Sequence, residues 1–130
     1  MQSKERSKNI VVKDSLFDPS SGKQDKLGYN KVEDKYFYKV WLYLEGTDLP
    51  FVDYVIYHLH PTFPNPDLTV GRTIANPNCS QAIWSWGMFN VNAEIFLKSG
   101  EVIRIDHYLT FDKIITNNEA KFVDLKNSFE

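Results

Sequence analysis

Phe89-Asn90-Val91-Asn92-Ala93-Glu94-Ile95-Phe96-Leu97 decides the fold. Phe89, Val91, Ala93, Ile95 and Leu97 take every second place, and Asn90, Asn92, Glu94 and Phe96 fill the places between. Successive side chains on a strand point to opposite sides, so this strict alternation predicts a β-strand with one buried face. Lys98-Ser99-Gly100-Glu101 is turn chemistry and sends the chain back as a hairpin. In the returning stretch Ile103, Ile105, His107, Leu109 and Phe111 alternate with Arg104, Asp106 and Tyr108. The predicted core therefore holds Leu59, Val91, Ala93, Ile95, Ile103 and Ile105, with Asn92, Glu94 and Arg104 outside.

Upstream the same texture recurs. Phe37 to Leu44 is almost wholly aromatic and aliphatic, with Val40, Leu42 and Leu44 on one face and Trp41 and Tyr43 on the other. Glu45-Gly46-Thr47-Asp48-Leu49-Pro50 breaks it. Tyr54 to Leu59 follows as another strand, with Val55, Tyr57 and Leu59 on one face. Pro61, Pro64, Pro66 and Pro77 exclude regular ladders through much of residues 60–80, because proline lacks an amide donor. That stretch is expected to be a functional loop or a strand held between turns. Short strands at close spacing, without a convincing amphipathic helix, predict an all-β domain of the two-sheet sandwich type.

The boundaries expected from these patterns are an N-terminal extension over residues 1–30, a sandwich core over 31–113 and a C-terminal strand or short helix over 114–130. The extension is polar and broken, with Ile10-Val11-Val12 as its one strand-like patch. The chain's 130 residues suit one domain that can bury a core without staples. The hydrophobic fraction of 42% and charged fraction of 25% are ordinary, whereas the aromatic fraction of 15% is high. A net charge of −2 lacks the basic footprint that phosphate neutralisation requires, so no nucleic-acid partner is expected. One cysteine, Cys79, excludes an internal disulfide and a multi-thiolate metal site. The start, Met1-Gln2-Ser3-Lys4-Glu5-Arg6, leads into no long apolar stretch, and no apolar run reaches membrane length. A cytoplasmic chain with no membrane partner is expected.

Catalytic chemistry finds little support. Ser80, Ser85 and Thr62 have hydroxyls but no Gly-x-Ser-x-Gly elbow, and Val70-Gly71-Arg72 is too sparse for a phosphate loop. Asp106 and His107 are adjacent on a strand, so their side chains point to opposite faces and cannot pair. His58 and His60 share strand parity and, with His107, form the right ligand types for a three-imidazole zinc site. Pro61-Thr62 takes His60 out of the strand plane, however, and His107 sits in an apolar alternation where its ring is expected to bond backbone. No metal and no cofactor are assigned.

What remains is an aromatic constellation in two loops. His58-Leu59-His60-Pro61-Thr62-Phe63-Pro64-Asn65-Pro66 ends one strand, and Trp84-Ser85-Trp86-Gly87-Met88-Phe89 leads into another. Rings beside a hydroxyl or an imidazole are the parts of a narrow ligand slot at the end of a sandwich. Phe89 is expected to be core, since it starts the buried alternation. Trp84 and Trp86 fall on one side of an extended segment and cannot both enter a small core.

These strings resemble the signature of the YEATS domain, and within it the prokaryotic branch. The likeness runs from Tyr36 to Phe111 and includes Trp41-Leu42-Tyr43-Leu44-Glu45-Gly46, Leu59-His60-Pro61-Thr62-Phe63, Trp86-Gly87-Met88-Phe89 and His107-Tyr108-Leu109. The resemblance implies an immunoglobulin-like sandwich, no enzymatic activity and a reader of acylated lysine. By that resemblance the acyl amide would stack between Phe63 and Trp86, bond the Thr62 hydroxyl under orientation by His60, and give its carbonyl to the Trp86 amide. Ser85 and Gly87 belong to the same ligand-binding set, with Trp84 and Met88 at the rim. Ser85 stands where the family commonly has glycine, and Met88 where glutamate or glycine is frequent. The prokaryotic branch occurs in multidomain signalling and conflict proteins, so its ligand need not be a histone. The implied partner is an acylated-lysine peptide or another protein. The alternative reading is a structural interaction module in which the slot is closed or repurposed.

Overall fold

A computed structural model describes residues 9–17, 19, 27–32, 35–111 and 122–124. Among the described residues nine strands form two sheets: β1 Val11–Ser15, β2 Leu27–Val32, β3 Lys35–Glu45, β4 Val52–His58, β5 Asp67–Gly71, β6 Gln81–Ser85, β7 Asn90–Leu97, β8 Val102–Tyr108 and β9 Phe122–Asp124. The first sheet is built on the long β3. One edge of β3 pairs with β1 and β2 in turn, β6 lies along the other, and β9 joins β2. The second sheet runs β5-β4-β7-β8. Every pairing is antiparallel except β2 with β9. The molecule is thus the predicted all-β, two-sheet sandwich of immunoglobulin-like type.

Alternation decides which face each strand buries. Val40, Leu42 and Leu44 of β3 are sealed from solvent, as are Val55 and Tyr57 of β4 and Val91, Ala93 and Ile95 of β7. Leu59, just past β4, is buried beside them. Asn92, Glu94 and Arg104 lie on the opposite side of their sheet, so the register is the one expected. Ile103 and Ile105 pack against the core but stay partly exposed, because β8 is an edge strand with one flank uncovered.

The segment read as an extension contributes to the core. Ile10, Val12, Leu16 and Phe17 are buried, and β1 pairs with β3 from Val11↔Glu45 to Ser15↔Trp41. Gly46 makes this possible. Its φ of 138° favours glycine, and a Cβ there would collide with the Asn9 carbonyl. Lys13, Asp14 and Ser15 interrupt the apolar pattern of this segment and hide the role.

The proline-rich region contains a short strand, β5, paired with β4 from Tyr54↔Gly71 to His58↔Asp67. The loop after it is fixed from below by Tyr57, whose buried hydroxyl donates to the Cys79 carbonyl at 2.7 Å. Burial drives the Tyr57 pKa well up and raises the Cys79 thiol to about 11, so both stay neutral at ordinary pH. Of the C-terminal segment, residues 122–124 are strand, and the rest lies outside the described residues.

A buried polar cluster ties the two sheets together. The Asp14 carboxylate of β1, sealed from solvent, accepts from His107 Nε2 at 2.6 Å and from both the amide and the hydroxyl of Thr110. His107 was expected to bond backbone; a carboxylate takes that place instead, because β1 lies against β8 across the sandwich. Among the described residues no helix is long and apolar enough to cross a membrane.

Candidate functional site

The site lies where β4 and β6 end. After His58 the chain leaves β4, and Leu59 N–H donates to the Pro66 carbonyl at 2.6 Å, closing the base of the loop over residues 59–66. A second bond, Phe63 N–H to the His60 carbonyl at 3.0 Å, makes a tight turn within it. Pro61 takes the second position of this turn and Pro64 follows it, and both restrict the backbone. Phe63 is thereby held half-buried, with its ring 5.1 Å from that of Phe89. The His60 ring meets Phe89 edge-on at 6.3 Å.

His60 and Thr62 bond each other in a way that fixes their hydrogens. Thr62 N–H donates to His60 Nδ1 at 3.2 Å, so Nδ1 is the lone-pair nitrogen of the ring. The Thr62 hydroxyl, 2.9 Å from the same nitrogen, must then donate as well. Its own lone pairs are left for an outside donor. A hydroxyl turned into an acceptor is what recognition of an amide N–H requires.

The opposite wall comes from the end of β6. Ser85 points inward and is 3% exposed, so Trp84 and Trp86 fall on the outer side, 37% and 58% exposed. Both tryptophans therefore sit on one side, as their spacing requires. Trp84 and Ser85 belong to β6 rather than to the loop, which comprises only residues 86–89. The Ser85 hydroxyl donates to the Gly87 carbonyl at 2.7 Å, and the Gly87 amide lies 3.4 Å from it. Serine at this position thus braces the turn from beneath. A methyl group placed on Gly87 would meet nothing within 4 Å.

Between the walls is an open cavity of about 500 Å³. His60, Thr62, Phe63 and Pro64 line it from the first loop, and Trp84, Ser85, Trp86, Gly87, Met88 and Phe89 from the second. Every ligand residue expected from the sequence lines this cavity. Phe37 and Pro64 line it too, as does Phe89, which packs on the core and borders the slot at once. Phe37 shares the parity of Trp41 and Tyr43 on β3, the outward face, but parity alone does not place it at the cavity. Among the described residues that line the cavity, none is Lys, Arg, Asp or Glu.

The three histidines go to three places. His60 is at the cavity, His107 is bonded to Asp14 between the sheets, and His58 is bonded to Asp67 and Glu94 on the outer face of the second sheet.

Residues 36–110, more than half of the chain, match the model of the prokaryotic YEATS domain. The chain belongs to that family. Among curated proteins this YEATS chain is similar to transcription initiation factor TFIID subunit 14 of Schizosaccharomyces pombe, 44% identical over 71 residues. The match covers 53% of the chain and 27% of that relative, so the chain spans about a quarter of its length. Among solved structures it is similar to the yeast AF-9 homolog Yaf9, with a TM-score of 0.53 at 16% identity, over 80% of this chain and 67% of that one. The Yaf9 YEATS domain bound to H3K27ac gives 0.47 at 16% identity, over 82% of this chain and 77% of that one. At such identity the likeness is one of fold.

Proposed function

We propose that this YEATS domain is a non-catalytic binding module that takes an acylated lysine side chain into the cavity between Phe63 and Trp86. The observation that carries this reading is the convergence of both rings, from separate loops, on one open cavity that also holds the Thr62 hydroxyl, which donates to His60 and keeps its lone pairs for a ligand. A lysine ammonium entering such a slot would lose hydration with no carboxylate to replace it. Acylation removes that charge and supplies a flat amide that stacks on aromatic faces. Its N–H donates to Thr62 Oγ1, and its alkyl end lies against Phe37, Met88 and Phe89. Burying about 150 Å² of the group is worth about 4 kcal/mol gross, of which association takes back much. Micromolar binding is the expected strength. An uncharged acyl chain suits the uncharged lining; a dicarboxylic one does not.

A filled slot serving only as packing would bury Trp86, yet that ring is more than half exposed beside an open volume. The proposal is tested by calorimetric titration with peptides carrying acetyl-, butyryl-, crotonyl- or succinyl-lysine, with unmodified lysine as control. Binding of the uncharged acyl peptides alone is expected. Equal binding of the unmodified peptide, or none by any, would overturn the reading.

A further inference from the structure

The outer face of the second sheet carries a cluster that the cavity itself does not use. His58 ends β4, and both of its ring nitrogens contact carboxylates: Nδ1 lies 2.7 Å from Asp67 Oδ1, and Nε2 lies 2.8 Å from Glu94 Oε1. An ionised carboxylate only accepts, so both contacts are hydrogen bonds only when both ring nitrogens carry hydrogen. The geometry is therefore that of an imidazolium. The His58 pKa is raised, first by the bond to Asp67 and then by the bond to Glu94. Glu94, in turn, is pulled down, first by His58, and is also held by Arg104 of β8 at 3.0 Å. Asp106, the other acid on this face of β8, bonds Asn92 at 2.8 Å and Asn90.

Position in the chain gives the cluster its meaning. His58 and Asp67 are cross-strand partners, and the loop between them, residues 59–66, is the one that carries Thr62 and Phe63. Glu94 is anchored on the central strand β7, opposite Ile56 of β4. A protonated His58 joins the first residue of β5 to β4 and β7 directly beneath the loop's closing bond, Leu59 to Pro66. Deprotonation sets one ring lone pair against one carboxylate, and Asp67, the more exposed partner, is freer to leave than Glu94, which Arg104 also holds.

We propose that His58 is a positioning residue for the cavity: as an imidazolium bridging Asp67 and Glu94, it fixes the base of loop 59–66 and thereby the placement of Thr62 and Phe63. The role rests on the reading of the cavity as an acyl-lysine site. Because the folded pKa of His58 is raised, the stabilisation is fully present below its ordinary value of about 6.5 and lost as pH rises through the raised value. The clamp's contribution to binding is accordingly largest at mildly acidic pH.

Two measurements separate the clamp from the cavity. In the unliganded protein, backbone amide resonances of Thr62 and Phe63 should titrate with the midpoint of the His58 ring, and that transition should vanish in His58→Gln. Loop amides indifferent to pH, or titrating unchanged in His58→Gln, would overturn the clamp whether or not any ligand binds. In the second, the natural protein should bind an acetyl-lysine peptide about three- to tenfold more tightly than Asp67→Asn at about pH 5.5, and the two should converge by about pH 8.5. In Asp67→Asn, which alters an exposed carboxylate and keeps Glu94 in place, the profile should flatten toward the weak limit. His60 is present in both proteins, so the difference between profiles reports the clamp. Parallel profiles would contradict it. Peptide binding absent at every pH would refute the cavity reading and leave the clamp to the resonance measurement.

Discussion

The two walls of the cavity are built differently. The wall from residues 59–66 is anchored: Phe63 packs on Phe89 and through it on the core, two backbone bonds close its loop, and prolines restrict its chain. The wall from the end of β6 is braced at Ser85, with Trp86 more than half in solvent and open space around Gly87. A slot with one packed and one exposed side can hold a planar group without being shut beforehand. The contrast also means that stability and recognition share residues on the first wall and come apart on the second.

Phe63→Ala should show the largest combined effect. It removes a half-buried ring, so unfolding free energy should fall by about 2 kcal/mol, below the 3–5 of a fully buried ring, and acyl-peptide binding should disappear. Denaturant unfolding beside a binding isotherm measures both. A stability unchanged within error would mean the wall is not anchored as described. Trp86→Ala is expected to abolish binding with a nearly unchanged midpoint of thermal unfolding, since an exposed ring gives up little buried area. A cooperative collapse of that variant on warming would make both walls structural and erase the contrast.

Thr62→Val keeps the shape and deletes the hydroxyl. Binding should weaken by about 1–3 kcal/mol, the cost of leaving the ligand amide donor without its acceptor, while the fold tolerates the change at this exposed position. The smallest perturbation is Gly87→Ala. Its methyl meets no protein atom, so the thermal midpoint should stay put; any loss of affinity reports ligand occupying that space. Unchanged affinity across the whole acyl series would place the ligand away from the second wall.

The sequence revealed the sandwich where burial is one-sided and long. β3, β4 and β7 run for 11, 7 and 8 residues, enough for the two-residue period to stand out from chance. It revealed β1 poorly, because Lys13 and Asp14 break the apolar impression of a strand whose alternate residues are buried. Asp14 in particular reads as surface, and its burial depends on donors from His107 and Thr110, far away in the chain. The edge position of β8 cannot be read from its own pattern, which is why Ile103 and Ile105 look like full core. At the cavity, the hydroxyl, imidazole and rings were legible from two short strings. Phe37 was not, since only the pairing of β3 with β6 brings the start of β3 beside the second wall.

The central claim is that an acylated lysine occupies the space between the two walls. The most direct test is a titration of the isotopically labelled domain with a crotonyl-lysine peptide, following backbone amides and the indole N–H of each tryptophan. Shifts concentrated at Thr62, Phe63, Trp86 and Gly87, with the Trp86 indole among the largest and no response to unmodified peptide, are the predicted result. Shifts centred on the outer face of the β5-β4-β7-β8 sheet, or the same pattern with unmodified lysine, would contradict it.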